Sequence, residues 1–136
     1  MYYMRRSLGS SAGFTLLELL VVISLITILA AIGLSSYGNA VTRSREAVLK
    51  ENLFRMRDAI DQYYADKNHY PYGLNSLVNA GYLRKVPEDP FTRSTDTWQL
   101  IPAESSLDDL ISELGVFDIK SGSDAIAMDG SSYADW

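Results

Sequence analysis

The sequence predicts an α+β fold: one long N-terminal helix, membrane-spanning in its first half, packed against a small antiparallel sheet. Three observations predict it. An apolar run from Phe14 to Leu34 carries one charged residue, Glu18. Helical periodicity returns at Leu49, Leu53, Met56, Ile60 and Tyr63, spaced 4, 3, 4, 3 along one face. Beyond it, short strand-like segments alternate with loops rich in Pro, Gly and Asp.

The totals narrow the function before any motif is read. At 136 residues the chain is one domain at most. It has no cysteine, which removes disulfide frameworks, thiolate metal sites and cysteine nucleophiles. His69 is its one histidine, so multi-histidine metal sites are excluded as well. The net charge of −5 hides a gradient. Arg5 and Arg6 precede the apolar run, whereas Val86 to Trp136 holds 11 acids against Arg93 and Lys120, a net of −9. Such an acidic region repels phosphates, so nucleic acid is not an expected partner, and it is compatible with a divalent cation.

Residues 1–13, "MYYMRRSLGSSAG", are basic and rich in small residues. Residues 14–34 form the apolar run, about 21 residues or about 31 Å of helix, matching a bilayer core of about 30 Å. The arginine pair marks the N-terminal flank as cytoplasmic and places everything after Leu34 outside. In "IGLSSYGNA", Gly33 and Gly38 each weaken a helix by roughly 1 kcal/mol, a soft spot with no proline to force a break. Residues 35–66 are then the amphipathic half of the helix. Glu46–Lys50 and Glu51–Arg55 are spaced i,i+4 with the acid first, the favourable order for ion pairs.

Residues 67–136 change texture. "DKNHYPYGLN" reads as a loop, with Tyr70 held extended by Pro71. Asn75 is placed to cap a short helix, "SLVNA", that Gly81 closes. "VPEDPF" reads as extended, and "TDTWQLI" and "GVFDIK" as strands. Leu107, Leu110, Ile111 and Leu114 suggest a short helical turn between them, and Ala125–Met128 a short final strand.

The search for chemistry finds little. There is no GxSxG, no phosphate loop and no HExxH. His69 reads as a loop histidine, and the tyrosines at 63, 64, 70, 72 and 82 read as packing. Nothing pairs a nucleophile with a base, so the chain is not expected to be an enzyme. The tail is more suggestive. Asp124 and Asp129, among Ser123, Ser131 and Ser132, offer hard oxygens on a flexible backbone, a composition suited to Ca²⁺.

"GFTLLELLVVI" resembles the prepilin N-terminus: a short basic leader ending in Gly, then Phe, Thr, Leu, Leu and Glu, then an apolar helix. The resemblance implies cleavage between Gly13 and Phe14 by the prepilin peptidase, with N-methylation of the new amino group on Phe14. It also implies the pilin-like fold. "YYADKNHYP", "SLVNAGYLRKVPEDPF", "TWQL" and "GVFDIKSGSDAIAMDG" are similar in order and spacing to the major pseudopilins of type II secretion systems. That family implies a structural subunit of a periplasmic pseudopilus that drives protein secretion. Its partners would be further copies of itself in a helical homopolymer, minor pseudopilins, the prepilin peptidase and an inner-membrane assembly platform. The chain would reside in the inner membrane, crossing once, before joining the fibre. The family's C-terminal loop binds calcium, which implies Asp124 as a ligand; Asp129 does not align with the family's second loop acid and is a candidate on its composition alone. Ser35 stands where the family carries proline, and Ala125 where a glycine follows the loop aspartate. Type IV pilins of extracellular pili share the N-terminus, and the cysteine-free, aspartate-rich tail separates this chain from most of them.

Under this reading Glu18 has a role. An ionised side chain inside the bilayer costs about 2.5–3.5 kcal/mol, and less near the end of a segment. After cleavage, the Glu18 carboxylate of one subunit can pair with the Phe14 ammonium of its neighbour, which sets the axial stagger between helices. Two other classes compete. A soluble binding protein exported on a signal peptide would lose residues up to about "AIG", and a membrane-anchored enzyme would need a catalytic set that the chain lacks.

Overall fold

The structure is a computed structural model and describes residues 13–104 and 115–136. The short helix expected at Leu107–Leu114 lies outside the described residues, as does the leader up to residue 12. Among the described residues five elements occur in order: α1 (Leu16–Lys67), α2 (Leu74–Asn79), β1 (Gln99–Pro102), β2 (Val116–Lys120) and a 3₁₀ turn (Tyr133–Asp135). The chain divides into two units, Met1–Asn39 and Ala40–Trp136, and α1 contributes residues to both.

Helix α1 holds 52 residues. It is helical straight through Gly33 and Gly38, so the soft spot does not end it. Two glycines weaken a helix but keep their N–H donors, and only a proline would have removed one. In the first unit no side chain from Phe14 to Asn39 is buried within the chain. The hydroxyls inside the apolar run are satisfied locally: Ser24 Oγ donates to the Leu20 carbonyl and Thr27 Oγ1 to that of Ile23, each at 2.8 Å. The helix ends at Asn68, whose φ of 60° is the left-handed geometry of a helix stop, with its N–H on the Tyr64 carbonyl at 2.8 Å.

The second unit holds the core. Leu49, Leu53, Met56, Ile60 and Tyr63 are buried as their spacing predicts, and Ala59 joins them. They form one cluster with Leu77 of α2, Trp98, Val116 and Ile119 of β2, Ala127 and Tyr133. Strands β1 and β2 pair antiparallel, with Gln99 opposite Lys120 and Leu100 opposite Ile119, and the register shifts between Ile101 and Pro102. The sheet packs on the helix through Val116 and Ile119 of β2, while Phe117 between them is 54% exposed.

Four local expectations need correction. The Glu46–Lys50 pair does not form. Glu46 instead reaches the C-terminal loop and Lys50 lies over Trp136, whereas Glu51–Arg55 does pair at 2.7 Å. Asn75 sits inside α2 rather than capping it. Gly73 is the N-cap, without a side-chain hydrogen bond, because Leu74 packs on the core and draws the helix start back. The close at Gly81 is as read: its φ is +85°, and the Tyr82 N–H returns to the Leu77 carbonyl at 2.9 Å. The "TDTWQLI" strand begins at Gln99, since the chain bends at Thr95 and Asp96, where the Asp96 N–H donates to Ser94 Oγ at 3.1 Å. Ala125–Met128 contributes a single bridge, Ile126 to Ser132, rather than a strand.

The "VPEDPF" segment is a knot around a buried carboxyl group. Asp89 is fully buried. Its Oδ1 accepts the N–H groups of Phe91 at 2.8 Å and Thr92 at 3.3 Å, and its Oδ2 accepts the Ser121 hydroxyl. Asn52 on α1 donates to the Glu88 carbonyl at 3.1 Å, and the Trp98 indole to that of Pro87 at 2.8 Å. The knot therefore joins helix, loop and the end of β2. Asp89→Ala strands three donors at once and is expected to cost about 3 kcal/mol, read as a lower urea midpoint at unchanged slope. A midpoint equal to wild type would show that water takes over those donors.

Candidate functional site

The residues singled out by the sequence fall in two places, one in each unit. At the N-terminal end, Gly13, Phe14 and Thr15 precede the first turn of α1. Thr15 caps it, because its Oγ1 accepts the Glu18 N–H at 3.1 Å. Thr15 and Glu18 thus occupy the two ends of a T-x-x-E capping pattern. Sequence reasoning passed over Thr15, although a Thr three residues before a Glu at the head of an apolar run is the signal. Glu18 lies in the first turn of α1, where the helix dipole favours a negative charge, and it is exposed. Around it Phe14 is 84% exposed and Leu16 85%. Leu16–Lys67 contains a stretch long and apolar enough to cross a membrane. An apolar surface of this extent needs lipid or other chains to cover it.

The second place is the C-terminal loop. Asp124 is exposed, and Asp129 is turned in on its own loop. Asp129 Oδ1 accepts the Ser131 hydroxyl at 2.6 Å and its N–H at 2.9 Å, and these bonds hold the carboxyl group below the usual aspartate range. The serine oxygens offered as ligands are also engaged. Ser123 Oγ accepts the Ala125 N–H at 3.3 Å, Ser132 Oγ that of Ala134 at 3.3 Å, and Ser131 Oγ the Trp136 indole at 2.7 Å. Among the described residues no three acidic or histidine side chains come together. Ca²⁺ takes 6–8 oxygens; here Asp124 stands exposed, while the Asp129 carboxylate and the loop serine hydroxyls are bonded within the loop.

What the loop has instead is a set of contacts to α1. Glu46 Oε1 accepts the Met128 N–H at 2.8 Å and the Tyr133 hydroxyl at 2.9 Å. Arg57 donates to Asp118 Oδ1 at 2.7 Å, the Ile119 carbonyl at 2.9 Å and the Trp136 carbonyl at 2.6 Å. The Lys50 ammonium lies 4.5 Å from the centre of the Trp136 ring. Burial, and then the bond to Glu46, push the Tyr133 phenol up to about 12. His69 is an exposed loop histidine, edge-on to Tyr63 at 5.5 Å. The tyrosines pack at the end of α1, Tyr64 on Tyr70 at 4.4 Å and Tyr63 against Tyr82 at 5.5 Å.

Residues 8–34 match the family model of the prokaryotic N-terminal methylation motif. Type II secretion system core protein G of Escherichia coli K12 is 32% identical over 124 residues, covering 79% of this chain and 83% of that protein. The core protein G of Klebsiella pneumoniae is 32% identical over 117 residues, covering 74% of this chain and 81% of its own length. Likeness to the type IV major pilin PilA of Myxococcus xanthus is 36% over 65 residues, 48% of this chain and 30% of that pilin. No solved structure matches the chain at a significant level.

Proposed function

Because this chain belongs to the family of type II secretion system core protein G, the major pseudopilins, we propose that it is matured at Gly13–Phe14 and assembled in register through Glu18. It is a structural subunit of the pseudopilus that serves type II protein secretion. The observation that carries this reading is the extent of the likeness. It runs well past the N-terminal motif and over most of the folded unit for core protein G, but over 48% of the chain for the pilin PilA. The names of these relatives are those of secretion and pilus components.

The proposed steps rest on the family resemblance. The basic leader stays on the cytoplasmic side, α1 crosses the inner membrane with residues 14–34, and the Ala40–Trp136 unit faces the periplasm. Prepilin peptidase removes residues 1–13 and methylates the Phe14 amine, which remains a cation. On entering the fibre, a subunit gives its exposed apolar helix to its neighbours in place of lipid. The Glu18 carboxylate meets the Phe14 ammonium of an adjacent copy. The inner-membrane platform and minor pseudopilins start and feed this polymer.

Co-expression with a prepilin peptidase tests the first step. The mature protein is expected to begin at Phe14 and to carry one added methyl group by intact-mass measurement. Gly13→Leu is expected to block the conversion completely, since a side chain at that position fills the space of the bond to be cut. A mature end near Leu34 would instead mark a signal peptide. Restored secretion in a strain lacking core protein G tests the second step, and surface pili without secretion would favour a pilin.

A further inference from the structure

The tail that the family resemblance assigns to a metal is held by side chains of the helix. Glu46, Lys50 and Arg57 are spaced 4 and 7, so they share one stripe of α1, beside the buried stripe of Leu49, Leu53, Met56 and Ile60. Each touches the C-terminal segment. Glu46 takes Met128 and Tyr133, Lys50 takes the face of Trp136, and Arg57 takes the Trp136 carbonyl. Their contacts reach across 82, 87 and 79 residues of sequence for the Glu46 pair and Arg57, so they fix tertiary rather than local structure.

The loop also closes on itself. The Ala127 N–H donates to the Ser131 carbonyl at 2.7 Å, and Gly130, at φ +88°, returns its N–H to Ala127 at 3.0 Å. Tyr133 N–H reaches the Ala125 carbonyl at 3.1 Å. Tyr133 is buried, stacked on Phe91 at 3.9 Å and edge-on to Trp136 at 5.0 Å. Every role that a cation would fill in ordering such a loop already has an occupant. The carboxylate is Glu46 from the helix, its donors are an amide and a phenol, and the loop serines are spent on N–H groups. A cation would have to break the Asp129–Ser131 bonds to obtain a second carboxylate.

We infer that in this chain the Glu46 carboxylate, with Lys50 and Arg57, latches the C-terminal loop to α1, and that the folded loop is independent of calcium. The latch is a property of the subunit and stands whether or not the fibre assignment does.

Thermal unfolding of the full chain in detergent micelles tests it, with calcium chloride, magnesium chloride or excess EDTA added. The melting temperature is expected to be the same in all three. Glu46→Ala and Tyr133→Phe are each expected to lower it by about 4–8 °C, the shift of a small domain losing one good contact. The double variant is expected to lose less than the sum, because the two side chains share one bond. A calcium-specific rise that Asp124→Ala or Asp129→Ala removes would overturn the inference. So would a melting temperature unmoved by both Glu46→Ala and Tyr133→Phe.

Discussion

Glu18→Ala is expected to leave the protein in the membrane and to remove the fibre. Insertion depends on the apolar length of residues 14–34, and deleting a carboxylate makes that segment more apolar, so the membrane fraction keeps the variant. The helix start also survives, because the cap is made by the Thr15 side chain on the backbone of residue 18 and does not use the Glu18 carboxyl group. What is lost is the partner of the neighbour's Phe14 ammonium. A charge pair taken out of water contributes modestly when whole, but leaving one member unpaired costs about 3–5 kcal/mol. At 1.4 kcal/mol per decade, even the lower figure raises the concentration needed for each addition about a hundredfold. Fibres visible by electron microscopy and in sheared fractions should disappear, while membrane sedimentation and leader removal stay normal. Glu18→Asp, with the charge kept but drawn back by one methylene, should recover part of the fibre yield. Wild-type fibres from Glu18→Ala would leave the carboxylate without a part in register.

Gly122→Ala is expected to be the most destabilising single methyl in the folded unit. Gly122 follows Ser121, at the point where the chain leaving β2 passes the segment entering β1. A Cβ there would lie far inside van der Waals contact with the Thr97 carbonyl oxygen and 3.0 Å from the Thr97 Cβ. Both obstacles are backbone or the root of a side chain, so no rotamer change relieves them. Thr97 is itself tied, its hydroxyl sharing a hydrogen bond with that of Thr92 at 2.5 Å. Moving either segment also strains the Asp89–Ser121 bond next door. Overpacking against yielding side chains costs about 1–3 kcal/mol, and this one should reach or exceed the upper figure. For a unit of this size that is a fall of about 12–24 °C in melting temperature. Gly130→Ala serves as the comparison. It meets nothing within 4 Å and bears only the cost of its positive φ, so it should be much milder. Equal effects from the two would mean that the β1 and β2 segments separate more easily than their packing indicates.

The sequence by itself determined the long helix and its buried face. Each is written in local chemistry. A run of apolar side chains reads as a membrane span because its length is set by the bilayer. The 4, 3, 4, 3 spacing from Leu49 to Tyr63 reads as a core stripe because the helical repeat is fixed. Phe14 and Glu18 stand out because they break or border an otherwise uniform run. Only the tertiary structure decided the partners of polar groups. Glu46 and Lys50 have ideal i,i+4 spacing, but such a pair gains only a few tenths of a kcal/mol, so a buried phenol and a stacked indole outcompete it. Asp89 looked like one more acid in an acidic stretch, and became buried when Ser121, 32 residues away, supplied a hydroxyl. Asp129 staples its own loop, because its neighbour Ser131 donates to it twice. Periodicity reports which face a residue lies on. What a carboxylate binds depends on the donors that distant parts of the chain bring to it, and those are known only once the chain has folded.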